Sequence, residues 1–286
     1  MSDLRIATRR SPLALVQAHR VAHLLAAANP GVSIEMVEVS TAGDRDRVSP
    51  IAELTELGAF VRSVQDAVIE RRADLAVHSL KDLPVVSPEA LTLAAIPERA
   101  SPFDVLVGRR LDALGPGALV GTGSPRRVNQ LIELRPDLRT IELRGNVDTR
   151  LEKVAAGEVD ATILAEAGLD RLGSSGSIAQ RLDVSEMVPA PGQGALAIET
   201  RAGDGLTEMV AAIDDSSLRT LVMAERLLLA ETGAGCRSAL GALAAWEGNL
   251  IRMDAYVSDE RGPRRALSRG ETPEAVVAEC RKALDL

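Results

Sequence analysis

The chain has 286 residues, is 46% hydrophobic and 26% charged, and carries a net charge of −8 with a pI near 5.1. That length suits two or three domains with an ample core, and the acidity argues against nucleic acid or an anionic membrane as partner. Cys236 and Cys280 make neither a zinc spacing nor a disulfide framework, the N-terminus shows no signal-type apolar region, and no apolar run reaches the roughly 20 residues that span a bilayer, so a cytoplasmic protein is expected. The core must be aliphatic, because Phe60, Phe103, Trp246 and Tyr256 are the whole aromatic set.

In chain order, residues 4–7 read as a strand and 11–28 as a helix, opened by Ser11 at the N-cap and Pro12 behind it and stopped by Asn29-Pro30-Gly31. A strand at 34–39 precedes a polar stretch, 40–58, which is long for a connection and reads as a mobile loop or lid. A helix over 60–71 leads into a strand at 74–78, and another strand follows at 91–96. Strands separated by helical crossovers indicate an α/β fold with largely parallel pairing.

Proline-rich breaks at 96–102 and 188–192 bracket a second α/β unit, with strands at 118–121, 139–143 and 161–165 and helices at 124–134 and 147–156. A strand at 195–199 returns to the first unit. The pattern predicts two hinged lobes around a cleft: domain 1 over 1–97 and 194–213, with the lid at 40–58, and domain 2 over 98–193. The remainder, 214–286, holds a helix at 216–232, an antiparallel hairpin of strands at 239–245 and 250–257, and a helix at 273–284. It reads as a small α+β domain 3.

Arginines recur where helices begin. Arg9 and Arg10 precede the first helix, Arg126 and Arg127 follow Gly121-Thr122-Gly123-Ser124-Pro125, and Arg144-Gly145-Asn146 and Thr149-Arg150 flank another start. A helix N-terminus carries partial positive charge, so cations there are unfavourable unless an anion completes the site. The ordinary fate of one arginine is solvated surface; the whole constellation points to an anion pocket, and the guanidinium fork fits carboxylate or phosphate.

His78-Ser79-Leu80-Lys81-Asp82-Leu83-Pro84 follows a buried-looking strand, at the carboxyl end where α/β sites form. Asp82 there suits an acid, a base or a cation stabiliser, with Lys81 holding an anion or tuning that carboxylate; a surface Lys-Asp pair is the structural alternative. His78 reads as a packed strand-end residue, since nothing nearby completes a metal site. Cys236 lies in Gly233-Ala234-Gly235-Cys236-Arg237, where glycines permit close approach and Arg237 favours the thiolate. A covalent attachment point competes there with an inert buried thiol, and Cys280, on an amphipathic helix, fits the inert reading.

These segments together resemble the porphobilinogen deaminase (hydroxymethylbilane synthase) family over essentially the whole chain. The carrying motifs are Leu4-Arg5-Ile6-Ala7-Thr8-Arg9, Ser11-Pro12-Leu13-Ala14-Leu15, Ala76-Val77-His78-Ser79-Leu80-Lys81-Asp82, Ser124-Pro125-Arg126-Arg127, Leu143-Arg144-Gly145-Asn146, Ala167-Gly168-Leu169, Gly192-Gln193-Gly194-Ala195 and Gly235-Cys236. The resemblance implies two lobes like those of periplasmic binding proteins around a cleft, plus a small α+β C-terminal domain. It implies a dipyrromethane cofactor joined to Cys236 by a thioether, onto which four porphobilinogen units are condensed with loss of ammonia before hydrolysis frees hydroxymethylbilane.

It further implies that Asp82 is the essential carboxylate, stabilising the electron-poor azafulvene left when ammonia departs and accepting pyrrole N–H groups. Arg9, Arg126, Arg127, Arg144, Arg150 and Arg171 match the carboxylate-binding positions, and Ser11, Gln17, Ser79, Lys81, Thr122, Ser124 and Asn146 the supporting ones. No metal is implied, and a monomer is the default. The chain departs from the family pattern in an acidic lid, Glu53-Leu54-Thr55-Glu56-Leu57-Gly58, in Gly123 before Ser124, and in Arg237-Ser238-Ala239-Leu240 after the cysteine. The alternative from another class is a noncatalytic two-lobed binding protein for a small polycarboxylate or oxyanion, which leaves Cys236 and the third domain without a role.

Overall fold

The computed structural model describes residues 3–39, 58–232 and 239–286. The chain runs β1 (Asp3–Arg9), α1 (Pro12–Ala28), β2 (Ser33–Val39), α2 (Gly58–Ile69), β3 (Leu75–Ser79), β4 (Leu91–Ala95), β5 (Asp104–Gly108), β6 (Leu119–Gly121) and α3 (Pro125–Leu134). It continues through β7 (Arg139–Ile141), α4 (Val147–Ala155), β8 (Ala161–Ala165), α5 (Glu166–Arg171), β9 (Ile178–Leu182), β10 (Leu196–Arg201), α6 (Leu206–Ala211) and α7 (Ser216–Glu231). The last elements are β11 (Ala239–Glu247), β12 (Leu250–Asp259), β13 (Gly262–Gly270) and α8 (Pro273–Leu284). Two compact units result, one of Met1–Arg99 with Ala195–Arg219, the other of Ala100–Gly194 with Thr220–Leu286.

In the first unit the strand order is β2-β1-β3-β10-β4, and β10 runs antiparallel to both of its neighbours. Alternation along β1 buries both faces of this sheet. Leu4 and Ile6 join the side covered by Ala18, Val21 and Leu25 of α1, while Ala7 joins the side covered by Val64, Ala67 and Val68 of α2. The Ser11 side chain accepts from the Ala14 N–H at 3.3 Å and caps α1, with Pro12 in its first turn, as the sequence predicts. Asn29 closes that helix by donating its backbone N–H to the Leu25 carbonyl.

The second unit repeats the plan. Its order is β7-β6-β8-β5-β9, again with a single strand, β5, running against its neighbours. Leu106, Val120, Ile163 and Leu131 fill one face and Val105, Val107, Leu164 and Leu169 the other. The same unit holds the antiparallel sheet β11-β12-β13, against which α8 buries Val276, Val277, Cys280 and Leu284.

The sequence reading anticipates the α/β class, the largely parallel pairing and the small C-terminal α+β part. It misses β5, β9 and β13. β5 offers only three consecutive apolar residues, Val105-Leu106-Val107, with no periodic signature, β9 is mostly half-buried at a sheet edge, and β13 carries Arg264, Arg265 and Arg269 in place of an apolar alternation. The expected C-terminal hairpin is therefore a three-stranded meander. Among the described residues no helix is long and apolar enough to cross a membrane, and no group of His, Cys, Asp and Glu is placed to hold a metal.

Candidate active site

In the first unit the carboxyl ends of β1 and β3 meet the start of α1. There a cavity of about 270 Å³ is lined by Arg9, Ser11, Leu13, Ala14, Gln17, Val61, Val77, His78, Ser79 and Asp82. Strand β1 ends at Arg9, and β3 ends at Ser79, followed by a 3-10 turn, Leu80–Asp82. That turn lifts Asp82 to the surface at the cavity wall. Gln17 is buried on α1 and donates to Ser79 Oγ at 2.9 Å, tying helix to strand end. Five of the expected site residues (Arg9, Ser11, Gln17, Ser79 and Asp82) are thus brought together. Lys81 is half-buried on the same turn and is not part of the lining. Arg10 points elsewhere, 3.6 Å from Glu38 in an exposed pair.

His78 also lines this cavity, backed by a buried carboxylate on the neighbouring strand. Its Nε2 lies 3.2 Å from Glu199 Oε2, close enough for an ion pair but without hydrogen-bond alignment, and Gln65 of α2 donates to the same oxygen at 2.8 Å. Burial pushes the Glu199 carboxyl up, but the His78 imidazole and donors from Gln65 and Ser87 outweigh it, and the net displacement is downward. His78 is the packed strand-end residue expected from the sequence; Glu199 carries no sequence signal that pairs it with a histidine 121 positions away (199 − 78).

In the second unit Ser124 holds the N-cap position of α3, and Arg126 and Arg127 occupy its first turn, both buried. Thr122 is buried beneath and accepts from the Ser124 N–H at 3.3 Å. The anion that the two guanidinium groups grip is the chain's own Asp104, fully buried at the start of β5. Arg126 Nη1 donates to Asp104 Oδ2 at 2.7 Å, and Arg127 donates Nη2 and Nε to Oδ1 at 2.7 and 3.0 Å. Gln193 adds a further donor to Oδ1 at 3.1 Å. Burial, with help from the adjacent Arg127, holds the Arg126 pKa below its ordinary value although Asp104 opposes the shift.

The other arginines lie on a loop (Arg144), in the first turns of α4 (Arg150) and at the C-terminal end of α5 (Arg171). Arg144 donates Nε to Glu142 at 3.0 Å, Arg150 donates Nε to the Gly145 carbonyl at 3.0 Å, and Arg171 donates Nη2 to the Gly194 carbonyl at 2.8 Å. Asn146 is an exposed N-cap of α4 that makes no side-chain cap bond. Gly145 has φ +109°, and a Cβ there would come within 2.8 Å of Thr149, so the Arg144–Asn146 turn requires glycine. Arg150 stands apart: among the described residues it has no carboxylate partner, and burial together with the positive charge of Arg127 pulls its pKa down to about 10.

Cys236 and residues 40–57 of the expected lid lie outside the described residues, while Gly58, the last residue of that stretch, opens α2. Cys280 is buried on α8, and burial pushes its thiol pKa up, as suits an inert position. Asp104 and Glu199 are the site residues that sequence reasoning overlooks. Gln193 stands within a motif quoted above, with no role attached to it there.

Two family models match the chain: porphobilinogen deaminase, dipyromethane cofactor binding domain, over residues 4–209, and porphobilinogen deaminase, C-terminal domain, over 219–285. The porphobilinogen deaminase of Roseiflexus sp. (strain RS-1) is 43% identical, covering 99% of this chain and 95% of that protein. That of Acidothermus cellulolyticus is 46% identical, covering 94% of this chain and 84% of its relative. Among solved structures, the methionine binding protein MetQ aligns with 10% identity and a TM-score of 0.47, over 86% of this chain and 99% of its own.

Proposed function

The chain belongs to the porphobilinogen deaminase family, and on that premise we propose how its own residues perform the reaction. The activity is that of a transferase in tetrapyrrole and heme biosynthesis, hydroxymethylbilane synthase, which condenses four porphobilinogen molecules with release of ammonia on a dipyrromethane cofactor. The noncatalytic binding-protein reading is not favoured, because matches to this enzyme family cover nearly the whole chain.

Each pyrrole carries acetate and propionate groups, so the bound chain is a polyanion. The donor set of the second unit fits it: Arg126 and Arg127 share one carboxylate, and Arg150 has none among the described residues. When bound, the dipyrromethane supplies the primer to which new units are joined. Arg126, Arg127, Arg144, Arg150 and Arg171, supported by Thr122, Ser124 and Asn146, hold its carboxylates and those of the growing chain. Each charge-assisted contact contributes about 1.5–3 kcal/mol. Cys236 is the attachment point. The buried, pKa-raised state of Cys280 supports that choice, since a thiol must reach its thiolate to react.

At the cavity of the first unit, Arg9 with the Ser11-capped start of α1 receives a substrate carboxylate beside Ser79, with Lys81 behind the lining on the turn that carries Asp82. Asp82 accepts the pyrrole N–H and sets a negative charge beside the carbon that becomes electron-poor as ammonia leaves. The observation that carries this assignment is the surface carboxylate of Asp82 on a cavity whose other charged wall is Arg9. A three-domain division, with domain 3 carrying Cys236, is supported by the separate C-terminal sheet with its own helix and by the two family models meeting between 209 and 219. A cytoplasmic monomer completes the proposal.

The test is the denatured intact mass of the wild type beside Cys236→Ser and Cys280→Ser, with ammonia release assayed on the native proteins. An adduct of two pyrrole units in the wild type and in Cys280→Ser, absent from Cys236→Ser, is expected. No adduct and no ammonia after incubation with porphobilinogen would overturn the reading.

A further inference from the structure

Asp104 belongs to none of the motifs quoted above and does not line the cavity of the first unit, yet it gathers more of the second unit's charged machinery than any residue described above. Its carboxylate takes Arg126 on one oxygen and Arg127, twice, on the other, where Gln193 also donates. The pair is also tied to the backbone: Arg126 Nη1 reaches the Val188 carbonyl as well, at 2.7 Å, and Arg127 Nη1 the Ile163 carbonyl at 2.8 Å. Gln193 is itself pinned to the Pro102 carbonyl at 2.7 Å. The two guanidinium planes therefore have little rotational freedom, although arginine is among the most flexible side chains in water.

The charge count matters as much as the geometry. Two guanidinium groups share one carboxylate, and Arg150 adds a third positive charge close enough to Arg127 to lower its own pKa. A second acid here would neutralise the cluster and leave nothing for a ligand. With no acid, two buried guanidinium groups would repel and swing apart.

We infer that Asp104 is the positioning residue of the anion site in the second unit: its single negative charge aims Arg126 and Arg127 while leaving the cluster positive toward the carboxylates of the bound pyrroles. It acts through the arginines and does not touch the ligand. The inference rests on the functional reading above. A purely structural ion pair would also be buried, so the two roles are separated by what each does to ligand binding in protein that has folded.

The experiment is a double-variant cycle on the holoenzyme: wild type, Asp104→Asn, Arg126→Gln and the double variant, with melting temperature, adduct fraction by denatured mass, KM for porphobilinogen and kcat. Asn keeps one acceptor oxygen and turns an NH2 donor toward the other guanidinium, so the two arginines are no longer both aimed. Asp104→Asn is expected to raise KM or lower the adduct-bearing fraction about tenfold, and the double variant to be no worse than Arg126→Gln alone. Effects that multiply, or a lowered melting temperature with KM and adduct fraction within twofold of wild type, overturn the assignment. If the Asn variant does not fold, Asp104→Glu, which keeps the charge and shifts its reach by one methylene, takes its place with the same two outcomes. A wild type without turnover defeats the functional reading and this inference with it; normal wild-type turnover with independent variants defeats this inference alone.

Discussion

Glu199 offers the sharpest stability test in the first unit. It is completely buried on β10, within 3.2 Å of His78 Nε2 and 2.8 Å of Gln65 Nε2. A fully buried carboxylate depends on its polar partners, and removing one member of such a buried cluster costs about 3–5 kcal/mol because the others are stranded. Glu199→Ala is therefore expected to lower the apparent melting temperature by roughly 6–20 °C, at about 2–4 °C per kcal/mol. His78→Ala should cost less, since Gln65 continues to hold Glu199, and the double variant should fall short of the sum of the singles.

The pH dependence has a definite sign. The folded-state pKa of Glu199 lies below its ordinary 4.5, so the stabilisation is complete above that value and is lost as pH falls through the lower, folded one. Urea unfolding followed by circular dichroism should show the gap between wild type and Glu199→Gln at its full value at pH 5 and closing as pH falls below about 4.5 towards 3. A gap under about 0.5 kcal/mol at pH 7, below the usual scale of a coupled buried pair, would refute the argument, as would one that stays the same throughout.

Three further outcomes are expected. Asp82→Asn should reduce kcat by about 10²–10⁴-fold with a much smaller change in KM, read by initial rates of ammonia release, since the carboxylate acts mainly on charge that develops during reaction. Arg150→Gln removes a cation that lacks a carboxylate partner among the described residues, so KM should rise about tenfold or more while urea stability changes little. Gly145→Ala places a Cβ at a left-handed φ of +109° and 2.8 Å from Thr149, so it should cost about 1–3 kcal/mol in urea unfolding and raise KM by displacing Arg144.

Much of the molecule is written locally. Ser11 before Pro12 marks the start of α1, alternation of strand and helix marks the α/β class, and the Ser79–Asp82 turn follows a strand of buried residues, so Arg9, Ser11 and Asp82 are legible locally, whereas Gln17 and the role of Ser79 enter only through the family resemblance. Capping, periodicity and turn chemistry act over a few residues, and such signals survive in a one-dimensional reading. The partners of buried charge do not. Arg127 finds Asp104 across 23 positions, Gln193 finds it across 89, and Gln65 meets Glu199 across 134. The strand that delivers Asp104 is five residues long and gives no periodic sign of itself. Sequence therefore determined that the arginines stand at helix starts in want of an anion; tertiary structure decided that Asp104 answers Arg126 and Arg127 from within, while Arg150 meets no carboxylate among the described residues. The reason is that desolvation compels each buried charge to find a partner without specifying where along the chain that partner lies.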